Sequence, residues 1–166
     1  MSWNHCEIQA RQILKLLLGD DDPALAITAE IQNRSLSNAI RACAVLKRFA
    51  KQREHLEHFV TGYDKLLAYR NYYTHALISM KDDYGELLSI SAKGRLGTFA
   101  DKITSDEIND LQGHMQRLLG YGAAIRKDMG DKGGALDEVI SALSASLEKP
   151  QWPPSLKKFP NYMLET

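Results

Sequence analysis

The run "LLAYRNYYTHALI", residues 66–78, sets an arginine, an asparagine and a histidine into a segment that is otherwise apolar or aromatic. Each brings a distinct chemical capacity. The Arg70 guanidinium keeps its proton and offers a planar fork of donors suited to an oxyanion. The His75 imidazole gains and loses a proton near neutral pH. The Asn71 amide both donates and accepts, so it can orient either neighbour.

Helical spacing sharpens the case for Arg70. The apolar stripe Leu56, Phe59, Val60, Tyr63, Leu66, Leu67, continued by Tyr73 and Leu77, steps by threes and fours. From Tyr63 and Leu67 the same steps land on Arg70 and then on Thr74, which predicts a core-facing arginine. A buried guanidinium left without an anion or acceptors costs several kcal/mol. Five residues further, His75 lies about 140° around the helix, and Asn71 is its neighbour four residues back.

The elements that must position these residues follow from caps and periodicity. A first helix is expected over 7–18, ending before "GDDDP". Asp22 reads as the cap of a second helix, with Pro23 at its first position, running to about Gln32. Ser35 or Ser37 opens a third, "LSNAIRACAVLKRFA", and a fourth and longest spans 53–80. Alternation in "ELLSISAKGRLGTFADKI" predicts a short β-hairpin around 86–100 that turns at Lys93-Gly94, with Leu88, Ile90, Leu96 and Thr98 on one face. "TSDE" is a capping box, Thr104 with Glu107, and the period Ile108, Leu111, Met115, Leu118, Gly122 carries a fifth helix to about Lys127. "ALDEVISALSASLEK" reads as a last short helix. The fold class is therefore all-α, a mostly helical bundle with one inserted hairpin. Residues 1–149 form a single domain, and 150–166 form a Pro-rich irregular tail whose Trp152, Phe159, Tyr162 and Met163 suit docking on a surface.

Composition narrows the function classes. The chain has 166 residues, 44% hydrophobic and 25% charged, with 21 acids balancing 21 bases, ordinary for one globular domain. Any basic surface must be local. The segment "RACAVLKRFAKQR" supplies one: Arg41, Lys47, Arg48, Lys51 and Arg53 with no acid among 41–53, a set able to track phosphates. The competing interpretation is a solvated helix surface. Cys6 and Cys43 sit apart on helical segments and read as small buried hydrophobes rather than a disulfide or metal pair. The polar start "MSWNHCEIQARQ" is no signal peptide, and no apolar run reaches the roughly 20 residues of a membrane span, so the expected location is cytoplasmic.

Arg70-Asn71-Tyr72-Tyr73-Thr74-His75 resembles the R-x4–6-H motif of the HEPN superfamily of small helical proteins. The surroundings are similar to one prokaryotic branch: the motif closes a long helix, a Gly-turn hairpin follows, and then a T-x-x-E capped helix. The resemblance covers about residues 25–127, with Ala76 where a glycine often follows the motif histidine. Many such members are metal-independent endoribonucleases acting as symmetric dimers in toxin–antitoxin or phage-defence systems. The resemblance implies catalytic roles for Arg70, Asn71 and His75, base stacking by Tyr72 or Tyr73, and an RNA substrate. It further implies a homodimer, an antitoxin or other protein partner, and no cofactor or metal. One arginine and one histidine per subunit is thin for acid–base chemistry, whereas a two-fold axis beside the motif brings together two of each.

Two further matches, Arg53 to His58 and Arg48 to His55, fall in "FAKQREHLEH", where dense charge favours a solvated face. "HLEH" is one turn with histidines and carboxylates, and a bundle metal site wants a second Glu-x-x-His. His114 has Leu111 in the place of that carboxylate. No phosphate-binding G-x-x-x-x-G-K-[ST] and no nucleophile elbow occurs. The main rival to an enzyme is a non-catalytic helical dimer that binds a protein or RNA.

Overall fold

The computed structural model describes residues 3–19, 21–74, 76–80, 85–91, 97–131 and 146–155, with 76–80, 85–91 and 97–102 as backbone. The chain is mostly helical. Its order is α1 (Trp3–Leu18), α2 (Asp22–Glu30), α3 (Asn33–Ala44), a 3₁₀ turn (Lys47–Phe49), α4 (Arg53–Thr74), β1 (Ala76–Met80), β2 (Gly85–Ser91), β3 (Gly97–Ile103) and α5 (Ser105–Asp128).

Burial explains most departures from the expected boundaries. Helix α1 starts at Trp3 because Trp3 and Cys6 continue the buried face of Ala10, Ile13, Leu14 and Leu17, and Trp3 packs on Tyr63 with ring centroids 5.0 Å apart. The cap of α2 is Asp21, not Asp22: its carboxylate accepts from the Ala24 backbone N–H at 2.9 Å. Ser37 is no cap either. It is buried inside α3, and its hydroxyl donates to Asp64. The third helix stops at Ala44 instead of running to Ala50, and Val45, Leu46, Lys47 and Arg48 are exposed. The capping box on α5 is present as expected, with Thr104 accepting from the Glu107 N–H and the Glu107 carboxylate accepting from the Thr104 N–H.

Helix α1 is central and packs against α2, α3 and α5, while α4 packs against α3 and α5. The core joins Leu14, Leu17, Leu36, Ile40, Leu56, Phe59, Tyr63, Leu66, Leu118, Tyr121 and Ile125. Helices α4 and α5 run antiparallel. Gln52 bonds Asp128 at 2.8 Å at one end, His55 meets Tyr121 in the middle, and Tyr69 faces Asp110 and Glu107 at the other. Gln9 is fully buried between them: a Cβ at Gly122 would lie 2.7 Å from its side chain and 2.8 Å from Phe59. Glycine at 122 is what lets α1 approach α5 this closely.

Helix α4 ends at Thr74, six residues short of the expected Met80, and the next residues pair as β1 against β2. "ALISM" is a short apolar run, and periodicity alone does not separate helix from strand in such a run. The partner strand decides. Strand β2 also pairs antiparallel with β3, Leu88 opposite Ala100 and Ile90 opposite Thr98, giving the order β1-β2-β3. The last pair is Ser91 with Gly97. A two-residue turn at Lys93-Gly94 would instead set Ser91 opposite Leu96; residues 92–96 lie outside the described residues. Of the expected last helix, residues 146–149 are not helical, and the remainder also lies outside the description. Among the described residues, no helix is long and apolar enough to cross a membrane.

Candidate functional site at the end of α4

The buried residues of α4 are Leu56, Phe59, Val60, Gly62, Tyr63 and Leu66. Nothing beyond Leu66 is buried, and on α5 the turns before Leu111 are exposed in the same way. Both helices thus outrun the core at the end where the sheet joins them. Arg70 continues the core-facing phase, as its spacing predicts, but sits past the point where the core stops. It is half-buried rather than buried. This removes the desolvation penalty that a core position would carry, while the charge remains available.

Arg70 Nη1 donates to the Asn71 side-chain oxygen at 2.9 Å, and among the described residues no carboxylate pairs with it. Among the described residues one of its five N–H donors is used, and the others offer a fork suited to an oxyanion. Asn71 is exposed and lines an open cavity of about 510 Å³ with Leu67, Glu7, Arg11, Asn33 and Arg34. Arg11 is already committed, to Glu7 at 2.7 Å and to the Ala29 and Thr28 carbonyls, where it neutralises the C-terminal end of α2. Arg34 is exposed without a partner among the described residues, so it is the uncommitted cation of the cavity lining, and Arg70 is tied to that lining through its bond to Asn71. Asn33 is fixed from behind by the Tyr63 hydroxyl at 2.9 Å. Sequence spacing gives no hint of Asn33 and Arg34, because only the packing of α3 beside α4 brings them to Asn71.

Tyr72 and Tyr73 are half-buried and meet edge to face, with centroids 5.3 Å apart. Tyr69 lies 6.3 Å from Tyr73. These rings cluster with one another. His75 lies outside the described residues; of the predicted site the structure pairs Arg70 with Asn71, and it gathers Tyr72 and Tyr73 in a separate ring cluster with Tyr69.

The basic run is not one helix surface. It crosses the end of α3, the 3₁₀ turn and the start of α4. Arg41 pairs with Asp64 at 2.7 Å, Arg53 pairs with Glu57 at 2.9 Å, and Arg48 donates to the Leu17 carbonyl that ends α1 while lying 4.7 Å over the Phe49 ring. Lys47 and Lys51 are exposed without a partner among the described residues. Five candidate phosphate contacts thus reduce to two uncommitted charges. The neutralising acids lie outside the 41–53 window, which is why that window looked purely basic.

The solvated-face interpretation of "REHLEH" holds for Arg53, Glu54 and Glu57 but fails for the histidines. His55 and His58 are half-buried. His55 Nδ1 and the Tyr121 hydroxyl are hydrogen-bonded at 2.8 Å, and burial pushes that phenol up to about 12, so it stays protonated. His58 Nε2 donates to the Pro150 carbonyl at 2.9 Å, and the ring stacks on Trp152 at 5.1 Å. On α5, His114 Nδ1 accepts from Arg117 at 3.0 Å, and burial with the Arg117 charge holds this imidazole below its usual range. These histidines are bound to protein groups, which accounts for them without a ligand. The thiol of Cys6 is likewise inert: burial pushes it up to about 12.

No family model, curated protein or solved structure matches the chain.

Proposed function

We propose that the chain is a metal-independent endoribonuclease of the HEPN type that works as a homodimer. In this mechanism the RNA's own 2′-hydroxyl attacks the adjacent phosphorus and the 5′-oxygen leaves, giving a 2′,3′-cyclic phosphate and a free 5′-hydroxyl. His75 takes or delivers the proton, a contribution typically worth about 10²–10⁴-fold. Arg70 holds the extra negative charge of the phosphorane. Asn71 fixes the Arg70 guanidinium and contacts the phosphate, and Tyr72 or Tyr73 stacks a neighbouring base. A role as toxin or phage-defence component, held in check by an antitoxin, fits such an activity.

The observation that carries this proposal is the placement of Arg70. Its guanidinium has no carboxylate partner among the described residues and is bonded to Asn71 at the rim of an open cavity. It stands on helical turns that hold no fully buried residue beyond Leu66, with Leu67 packed against the edge of the core. A two-fold axis along those turns supplies the missing cover and doubles the catalytic groups. Lys47 and Lys51 add the uncommitted positive charge of the 41–53 run.

The test is incubation of the purified protein with mixed RNA in EDTA, with analysis of the product ends. Cyclic phosphate ends from ribose-containing substrate, and no product from the 2′-deoxy equivalent, support the mechanism. Intact RNA together with unaltered dimerisation supports the binding module instead.

A further inference from the structure

The segment 149–154 is seated on one ridge of α4. The Lys149 ammonium pairs with Glu54, and the Pro150 carbonyl accepts from His58 at 2.9 Å. The Trp152 indole fills the notch at Gly62. The Pro153 carbonyl accepts from Lys65 at 2.9 Å and the Pro154 carbonyl from the Tyr69 hydroxyl at 3.1 Å. The contacted positions 54, 58, 62, 65 and 69 step by fours and threes, so this strap covers a single face of the helix. Leu67 and Asn71 stand on the opposite face, where the start of α3 meets the end of α4 around the open cavity of about 510 Å³.

The polar groups of that cavity present donors. The Asn71 side-chain oxygen is turned to Arg70, which can only donate, so the amide NH₂ is left for the cavity. The Asn33 side-chain oxygen accepts from the Tyr63 hydroxyl at 2.9 Å, and burial pushes that phenol up, so it keeps the proton it donates. Neither NH₂ has a partner among the described residues. Arg34 adds an exposed guanidinium with no partner there either. Gln32 puts no side-chain cap on α3, so the first N–H groups of that helix open in the same lining. Of the lining carboxylates, Glu7 is bound to Arg11 at 2.7 Å, and Glu30 is exposed without a partner among the described residues.

We propose that this cavity is a phosphate subsite for single-stranded RNA, in which Asn33, Arg34 and Asn71 hold the phosphodiester adjoining the one at Arg70. The subsite rests on the ribonuclease reading above. Two primary amides and a guanidinium offer N–H donors alone, which suits the non-bridging oxygens of a phosphate and fixes a strand's position rather than its sequence. Asn71 belongs to both places: its oxygen steadies Arg70, and its nitrogen serves the neighbouring phosphate. A strand laid over the start of α3 is thereby set in register with the linkage to be cut.

The test is fluorescence anisotropy of a single-stranded 2′-O-methyl oligonucleotide, which cannot be cut through its 2′ position, titrated with the full-length protein over a range of salt. The melting curve of each variant is recorded alongside. Arg34→Gln should weaken binding about tenfold and lower the salt slope by about 0.7, one phosphate's share on a single strand. Asn33→Asp keeps the acceptor for Tyr63 and replaces the NH₂ by a carboxylate oxygen, so it should weaken binding at least as much, whereas Glu30→Gln should tighten it. Unaltered affinity and slope in folded Arg34→Gln, or wild-type protein that does not bind the oligonucleotide, overturns the proposal. Affinity that vanishes when a 5′-phosphate is removed from the probe also overturns it, because the occupant is then a chain end. Cleavage of natural RNA is scored separately: RNA bound with these dependences but never cut keeps the subsite and removes the ribonuclease reading.

Discussion

Gly62→Ala reverses the usual sign of a helix substitution. Alanine in place of glycine inside a helix ordinarily stabilises by about 1 kcal/mol. At this position the new Cβ would stand 2.4–2.6 Å from three atoms of the Trp152 indole, a separation that forces the ring out of its notch. Displacement forfeits the stack on His58 at 5.1 Å and the edge contact with Tyr121 at 6.2 Å, each worth about 0.5–1.5 kcal/mol. It also forfeits the indole bond to the His58 carbonyl at 3.0 Å, worth about 1 kcal/mol. Set against the propensity gain, the net expectation is a loss of about 1–3 kcal/mol, read by urea denaturation followed by circular dichroism. Fluorescence locates the change. On a Trp3→Phe background Trp152 is the sole tryptophan, and its emission should shift to the red in Gly62→Ala. A variant that gains about 1 kcal/mol with unmoved emission would refute the seating of the strap.

Two other outcomes follow from the core. Gln9 is fully buried, and neither polar atom of its side-chain amide has a hydrogen-bond partner among the described residues; an unmet group of this kind costs about 1–3 kcal/mol. Gln9→Met keeps the volume and should raise stability by about 1–2 kcal/mol in the same denaturation assay; a loss would show that the amide is satisfied. His114 is held below its ordinary value, about 6.5, by burial first and the Arg117 charge second, with Asp110 opposing. The unfolded chain then binds the proton more readily than the folded one, so stability falls as the pH drops below about 6.5. His114→Gln should flatten that part of the stability profile, and an unchanged slope would remove His114 as its source.

What the sequence could and could not convey divides by distance along the chain. The phase of Arg70 on α4 was legible, because helical spacing is local. Its depth was not, because the core ends at Leu66 where α3 and α5 cease to cover α4. The capping box at Thr104 was equally legible, and the cap of α2 was missed by one residue among three successive aspartates. The 41–53 run looked uniformly basic because Asp64 and Glu57, which neutralise Arg41 and Arg53, lie beyond it. Likewise nothing near His58 signals that Pro150 and Trp152, more than 90 residues later, turn this histidine inward. The strand at Ala76–Met80 was hidden for the same reason: its identity depends on β2.

The most direct test of the central claim compares RNA cleavage in EDTA by wild type, Arg70→Ala and His75→Ala, with melting temperature and dimerisation measured on the same samples. Arg70 is half-buried outside the core, so its removal should leave folding intact. The account predicts cleavage by wild type and a fall of at least about 10²-fold in each variant, with all three folded and dimeric. Cleavage that survives both substitutions unchanged, in proteins that remain folded, would contradict it.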